Sequence, residues 1–253
     1  LGLKCKIFIS ESVSESRAKA MRKLNAKVIR VKGNYDNSLK ECIKQSNKNN
    51  WKIVQDVSWK NYDYVPQLIM AGYCVMVKEI FNQIKNKNFS HVFLQAGVGG
   101  MAASVIAGIA KFFKKIPKII IVEPDKAECV LQSIKKGKPV KIKILDESIM
   151  GGMSCGEVSK IPWSILKTST NYCMSIPDKM VGPTMSLLAN KQLSNTKIEA
   201  GECAAPGIIA LNGICFNNKL RNKIKLNKNS KVLLFGCEGA TDKVMYKKLL
   251  RIK

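Results

Sequence analysis

The sequence is short of histidine, which is a common metal ligand in proteins. It contains a single histidine, His91, and no C-x-x-C pair among its nine cysteines, which argues against a zinc site. Nine cysteines spread over 253 residues also lack the density of a disulfide scaffold. We therefore expect no bound metal, and we expect reduced thiols in a cytoplasmic protein.

Long apolar runs are missing as well. No stretch reaches the roughly eighteen apolar residues that a membrane-spanning helix needs. The opening segment, LGLKCKIFIS, lacks the apolar core and small-residue cleavage site of a secretory signal peptide. We expect no membrane partner, although a hydrophobic fraction of 46% is enough to bury a core.

Acidic residues are scarce: the sequence has 18 of them and 43 lysines and arginines, which gives a formal net charge of +25. This excess is compatible with a basic nucleic-acid-binding module, which stays open as an alternative supported by charge alone. However, the lysines occur in ones and twos along the whole chain, and aromatic residues for base stacking are not interleaved with them. The pattern favours a solvated surface, and we expect no specific nucleic-acid partner.

Alternation of apolar and polar segments predicts an α/β fold with two parallel-sheet domains. The segments KIFIS, VIRVKG and WKIVQD are predicted strands, with helices between them and a helix cap at Ser14. They would form a β-α-β-α-β unit in a small domain, residues 1–64.

A larger domain is predicted over residues 65–253. It begins with the long helical segment VPQLIMAGYCVMVKEIFNQIKN. Continuous apolar runs follow, which are typical of strands buried on both faces: HVFLQ, KIIIVEP and VLLFG. The glycine-rich stretch from Gly137 to Gly156 is expected to be irregular.

The stretch HVFLQAGVGGMAASVIAG predicts a strand, a glycine turn and a helix. Glycines let a bound group approach the backbone, and the exposed N–H groups of the following helix favour an anion. Three glycines in four positions exceed what a simple tight turn needs, so we expect this turn to bind phosphate.

Two cofactors fit such a turn. The residues from Gly97 to Ala102 match the dinucleotide pattern G-x-G-x-x-A, and Glu123 follows where a ribose-binding acid would stand, which is compatible with an NAD-dependent dehydrogenase. A turn that holds the single phosphate of pyridoxal phosphate fits equally well. Periodicity alone does not separate the two.

Motifs along the whole chain favour the second cofactor. They are, in chain order, NYDNSLKE, VQDVSW, VPQLIMAGY, HVFLQAGVGGMAA, IVEPDKAECV, SIMGGMSCGE, AGECAAPG and CEGATD. With these motifs the chain resembles the diaminopropionate ammonia-lyases, which are fold-type II (tryptophan-synthase β-like) pyridoxal-phosphate enzymes. IVEPDKA together with GMSCGE is more specific to the ammonia-lyases than to serine or threonine dehydratases.

The resemblance implies an activity. It implies a cytoplasmic, homodimeric enzyme of amino-acid catabolism that eliminates both amino groups of 2,3-diaminopropionate to give pyruvate and ammonia. Its cofactor would be pyridoxal 5′-phosphate, which acts as an electron sink.

The resemblance also implies roles for particular residues. The backbone amides of the turn would hold the cofactor phosphate; they belong to Gly97, Val98, Gly99, Gly100 and Met101. Asp56 would hold the substrate's amino group or help to move protons, although a strand-end aspartate that caps a loop is the alternative. Cys237 would face the pyridine nitrogen, or be a plain core residue.

Further cysteines and acids fall within the matching motifs. The resemblance implies that the thiols of Cys129 and Cys155 lie close together near the active-site entrance and that they can form a disulfide. Structural roles are expected for three carboxylates of the last two motifs: Glu202, Glu238 and Asp242.

Two elements of the family pattern have no counterpart in this sequence. They are the lysine that binds the cofactor covalently and the motif T-D-G-N-H-G, both of which precede the segment that corresponds to LGLKCKIFIS. The resemblance therefore implies that the chain is the C-terminal part of a longer enzyme and is inactive by itself.

Overall fold

The computed structural model describes residues 2–85 and 87–251, and it contains two compact units. The first unit consists of Leu1–Val54 and Ala240–Lys248, and the second of Gln55–Gly239 and Leu249–Lys253. The predicted domain boundary after residue 64 stays a prediction; the compact units divide after Val54 and again after Gly239.

The first unit is built around two parallel strands. Strand β1 (Lys6–Ser10) pairs with β2 (Lys27–Val31), and helix α1 (Glu15–Lys23) connects them. Ser14 caps α1 as predicted, because its Oγ accepts the N–H of Arg17 at 3.3 Å. Helix α2 (Tyr35–Asn49) follows.

The predicted third strand of this unit, WKIVQD, is wrong. Within the described residues, the sheet of the first unit has two strands, and positions 51–56 are not in a strand. The Nζ of Lys6 lies 3.3 Å from the centre of the Trp51 ring, so this segment starts with a cation–π contact. Apolar patterning shows that a segment is extended, but a strand also needs a neighbour for its ladder of hydrogen bonds.

The second unit contains a four-stranded sheet in the order β5-β4-β3-β6, with every pair parallel. The strands are β3 (His91–Gln95), β4 (Lys118–Pro124), β5 (Tyr172–Ile176) and β6 (Val232–Leu234). Strands β3, β4 and β6 confirm the predicted segments, and β3 is buried along its whole length. In a parallel sheet all carboxyl ends lie at one edge, which is where ligands bind in such folds.

Helices cover this sheet. They are α3 (Tyr64–Gln83), α4 (Gly100–Phe112), α5 (Cys129–Lys136), α6 (Lys160–Ser169), α7 (Val181–Ala189), α8 (Pro206–Cys215) and α9 (Asn218–Ile224); α10 (Lys243–Leu249) ends the described fold. A Cβ on Gly108 would lie 2.8 Å from the Cβ of Val77, so glycine allows α3 and α4 to pack closely. The stretch Gly137–Gly156 is irregular apart from a short 3₁₀ helix, Gly151–Met153. Across residues 2–85 and 87–251, no helix combines the length and apolarity that crossing a membrane requires.

Candidate functional site

The glycine turn lies at the carboxyl end of β3 and leads directly into α4. Gly99 is the N-cap of α4 and has a φ of +91°, a backbone conformation that residues with a side chain rarely adopt. A Cβ at this position would also lie 2.7 Å from Cδ1 of Leu166 and 3.2 Å from Cβ of Pro162. Helix α6 therefore packs against the turn so closely that only glycine fits.

A second segment closes the turn on another side. A Cβ on Gly97 would lie 3.0 Å from both Sγ of Cys155 and the carbonyl oxygen of Gly152. By contrast, outside the neighbouring backbone of α4, no protein atom lies within 4 Å of the position that a Cβ on Gly100 would take. The turn is thus held by residues 151–155 and by α6, and it is open at the first residue of α4.

The carbonyl groups of the turn are bonded within the protein. Cys129 Sγ donates to Gly97 O at 3.6 Å, and Ser159 N–H donates to Val98 O at 2.9 Å. Because each peptide unit is planar and trans, its N–H points opposite to its C=O. The N–H groups of Val98 and Gly99 therefore point away from these two donors.

The first turn of α4 adds further donors. The first backbone hydrogen bond of the helix is donated by Ala103 N–H to Gly99 O at 2.9 Å. The N–H groups of the three residues between Gly99 and Ala103, which are Gly100, Met101 and Ala102, have no acceptor within the helix. Convergent N–H groups, the positive end of the helix and the open space at Gly100 together fit a phosphate group. The structure thus brings Gly97–Met101 together as one turn, and their contact with a cofactor stays a prediction.

A pair of buried serines connects this turn to the loop that carries Asp56. Ser58 donates its N–H to Ser159 Oγ at 2.9 Å, and the two hydroxyls lie 2.8 Å apart. Since the N–H of Ser159 is bonded to Val98 O, the path from Ser58 to the turn is continuous. The sequence analysis missed both serines, because their partners are about one hundred residues apart.

Asp56 is partly buried, and this burial raises the pKa of its carboxyl group, against the backbone hydrogen bonds that lower it. Its N–H donates to Oε1 of Gln55 at 2.7 Å. Tyr73, on α3, lies within electrostatic range of both Asp56 and Cys237. Burial first, then the charge of Asp56 and the ionised form of Cys237, raise the pKa of the Tyr73 hydroxyl.

Tyr73 is a candidate site residue that the sequence analysis did not single out, although it closes the motif VPQLIMAGY. Tyr73 on α3 interacts electrostatically with Asp56, which lies in a loop, and with Cys237, which lies after β6. Such interactions depend on tertiary packing and have no local sequence signal.

Cys237 follows β6, the strand next to β3, so it lies at the same edge of the sheet as the glycine turn. The residue is exposed, and its thiol donates to Sδ of Met76 at 3.8 Å. Partial burial of the thiol raises its pKa, which keeps the sulfur protonated at neutral pH. Its predicted role at a pyridine nitrogen stays a prediction.

Glu123 does not support the dinucleotide alternative. Its side chain is completely buried, and its two carboxylate oxygens accept the N–H groups of Val130 and Leu131, each at 2.7 Å. The carboxylate therefore caps the start of α5, and neither oxygen is free for a ribose hydroxyl. Burial raises the pKa of Glu123 to about 7, although these hydrogen bonds act in the opposite direction.

The structure has Cys129 and Cys155 as thiols that are not joined by a disulfide and that lie near Gly97. Burial is the main cause that raises the pKa of Cys129, and the charges of Glu123 and Cys155 act in the same direction. The predicted disulfide between these two cysteines stays a prediction.

The three carboxylates expected to be structural have different surroundings. Glu238 accepts the N–H of Cys203 at 2.6 Å, and Glu202 is buried. In the first unit, Asp242 accepts the N–H groups of Val244 and Met245 at the start of α10. In the described part of the chain, no group of three or more His, Cys, Asp or Glu residues is arranged to hold a metal ion.

Comparison with known proteins gives three related results. A diaminopropionate ammonia-lyase of Escherichia coli (strain K12) is 31% identical over 256 residues, which cover 99% of this chain and 64% of that protein. The crystal structure of the Escherichia coli enzyme in complex with an aminoacrylate-PLP azomethine reaction intermediate has a TM-score of 0.91 at 31% identity, over 99% of this chain and 66% of that one. The processed form of threonine deaminase isoform 2 from Solanum lycopersicum has a TM-score of 0.79 at 17% identity, over 98% of this chain and 66% of that one, and shows the fold alone.

The chain therefore spans 64% of the length of the curated relative. These superpositions confirm the predicted fold-type II architecture. The family model for pyridoxal-phosphate dependent enzymes matches residues 1–238. With this match over most of its length, the chain belongs to the family of pyridoxal-phosphate dependent enzymes.

Proposed function

We propose that the chain belongs to a diaminopropionate ammonia-lyase, which converts 2,3-diaminopropionate to pyruvate and ammonia with pyridoxal phosphate as cofactor. The single observation that carries the proposal is the turn at Gly97–Met101, whose N–H groups converge where α4 begins. The 31% identity to the Escherichia coli enzyme over 99% of this chain supports the choice of substrate.

The backbone of the turn would hold the cofactor phosphate, chiefly through the N–H groups from Val98 to Met101. When bound, the cofactor supplies an electron sink that makes the proton on the substrate's Cα removable. Ser159 and Cys129 keep the turn in this orientation, because they occupy the carbonyl oxygens of Val98 and Gly97.

Asp56 would bind the substrate. The substrate carries two amino groups, and a carboxylate is the natural partner for an ammonium group. A cation beside Asp56 would stabilise the ionised carboxylate and offset the burial that raises its pKa. The hydroxyl of Tyr73, whose pKa is raised, stays protonated and can donate a hydrogen bond to the carboxylate or the substrate.

Cys237 would face the pyridine nitrogen of the cofactor. Its raised pKa keeps the proton on sulfur, so that the thiol is a weak hydrogen-bond donor. Such a neutral donor would contact the pyridine nitrogen without transferring a proton to it.

The proposal includes a cytoplasmic location and a homodimeric enzyme of amino-acid catabolism, as the resemblance to the family implies. The oligomeric state is tested by light scattering of the purified protein during size-exclusion chromatography. A mass that corresponds to two chains is expected, and a mass that corresponds to one chain contradicts this part of the proposal.

The activity is tested in a chimeric enzyme. This chain replaces the matching segment of the Escherichia coli enzyme, so that the remaining segment of that enzyme completes the protein. We expect the purified chimera to bind pyridoxal phosphate and to release pyruvate from 2,3-diaminopropionate. A folded chimera that binds the cofactor but acts only on serine or threonine would contradict the proposed substrate.

A further inference from the structure

Two long segments of the sequence contain basic residues and no acid. Residues 80–122 hold six lysines, and residues 203–237 hold five lysines and one arginine, whereas neither segment contains aspartate or glutamate. The glycine turn accounts for none of these charges. In the sequence these lysines are scattered, and only the fold determines whether they lie close together in space.

The fold brings parts of both segments to one edge of the sheet. They include the connections that enter β3, β4 and β6, and these three strands are neighbours in the order β4-β3-β6. Connections that enter neighbouring parallel strands lie together at the amino edge, opposite to the edge where the glycine turn lies. Backbone bonds join them: Ser90 N–H donates to Lys231 O at 2.8 Å, and Lys118 N–H donates to Ser90 O at 2.9 Å.

A cleft of about 420 Å³ opens where these connections meet. Its charged lining residues are three lysines, Lys115, Lys118 and Lys225, and its lining includes no carboxylate. Among the ion pairs of the described residues, none involves these three lysines. The cleft therefore concentrates positive charge without a partner of opposite sign.

Local structure brings the ammonium group of Lys118 close to the backbone of Lys225. Lys118 Nζ donates to the carbonyl oxygen of Ile224 at 2.6 Å, at the end of α9, and the ammonium group has two further N–H donors. Lys225, the next residue, is the C-cap of α9 with a φ of +57°. Burial, and then the charge of Lys225, lower the pKa of Lys118. Like charges held side by side favour the binding of an anion between them.

We propose that this cleft is a binding site for a small molecule that carries two or more phosphate groups. The volume lies in the range of roughly 300–1,000 Å³ that is common for small-ligand pockets. The apolar part of the lining, which includes Ile116 and Pro117, can accommodate the organic portion of such a ligand. The site is separate from the cofactor site, because it lies at the opposite edge of the sheet.

The experiment measures the binding of inorganic pyrophosphate to the whole chain by isothermal titration calorimetry at physiological salt. Saturating pyridoxine 5′-phosphate is present throughout, because it occupies the glycine turn but has no aldehyde to react with lysines. We expect one pyrophosphate per chain. The double variant Lys115→Gln/Lys225→Gln should weaken binding by about tenfold or more, since two charge-assisted contacts are lost.

The matched control is Lys19→Gln/Lys23→Gln in α1, which removes the same charge from another exposed position. Equal weakening in both double variants would overturn the proposal, because it would indicate a response to net charge alone. Several weak equivalents of pyrophosphate per chain would overturn it as well. Lys118 is left unchanged because its bond to Ile224 O supports the end of α9.

A measurement on the unmodified protein covers the case in which a variant does not fold. Lysines are acetylated with and without pyrophosphate, and the rate at each position is followed by mass spectrometry. Protection of Lys115 and Lys225, but not of Lys19, is expected. Uniform rates would contradict the proposal, and so would protection by double-stranded DNA but not by pyrophosphate, which would indicate a nucleic-acid surface.

Discussion

Cδ1 of Leu166 lies 2.7 Å from the position that a Cβ on Gly99 would take. Gly99 also has a φ of +91°, so both its conformation and its surroundings exclude a side chain. This relationship links the glycine turn to α6, and through Ser159 at the start of that helix to the loop that carries Asp56. The turn is therefore supported by packing that can be tested one residue at a time.

Gly99→Ala should lower the free energy of unfolding by about 2–4 kcal/mol, because it adds both backbone strain and overlap with Leu166. The matched control is Gly137→Ala, since Gly137 has a φ of +67° and no atom within 4 Å of its potential Cβ. This control should lose only about 1–2 kcal/mol, from backbone strain. Urea unfolding measures both variants, and equal losses would show that the contact with Leu166 does not contribute.

Gly100→Ala should separate ligand binding from stability. Gly100 is the first residue of α4, and a Cβ there meets no protein atom within 4 Å, so unfolding should change by less than about 1 kcal/mol. The methyl group would enter the open side of the turn, and pyridoxine 5′-phosphate should bind at least about tenfold more weakly. Gly72→Ala on α3, which is equally unobstructed, is the control and should leave this affinity unchanged. Unaltered binding by Gly100→Ala would contradict the proposed position of the phosphate.

Glu123 should make stability depend on pH. Burial raises the pKa of its carboxyl group from 4.5 to about 7 in the folded protein, so between these values the folded state binds more protons than the unfolded state. The free energy of unfolding should therefore fall as pH rises from about 4.5 to 7, by up to about 3 kcal/mol.

The variant Glu123→Gln tests this dependence, because glutamine carries no titrating group and can still accept one N–H of α5. Urea unfolding across the same pH window should give a flatter profile for the variant than for the unmodified protein. Other titrating groups are common to both proteins and cancel in the comparison. Parallel profiles would show that Glu123 is ionised in the folded state throughout.

The local parts of the fold could be predicted from the sequence. Strand β3, its glycine turn and α4 follow one another within HVFLQAGVGGMAASVIAG, and each has its own signal: an apolar run, clustered glycines and helical spacing. The order of the motifs along the chain, which resembles that of the ammonia-lyases, also predicted the fold-type II architecture. The strand predicted at WKIVQD is wrong because strand pairing depends on a distant partner that patterning does not reveal.

The residues of the candidate site were likewise only partly predictable, because their contacts depend on distant parts of the chain. An acid at the end of a strand is compatible with ribose binding, but Glu123 instead accepts two N–H groups of the next helix, and only the fold distinguishes the two. Tyr73 has the spacing of an ordinary helix residue, and its proximity to Asp56 and Cys237 arises from packing between separate elements. The grouping of lysines at the amino edge likewise follows from strand order.

Asp56 should determine the choice of substrate in the chimeric enzyme. If its carboxylate binds the second ammonium group of 2,3-diaminopropionate, Asp56→Asn should lower kcat/KM for this substrate by about 100-fold or more. Serine carries a hydroxyl in place of that group, so any activity on serine should fall by a much smaller factor. Asp36→Asn, which makes the same change at an exposed position of α2, is the control and should leave both activities unchanged. Pyruvate release is measured for both substrates, and an equal loss on the two would show that Asp56 acts on the part of the substrate that they share.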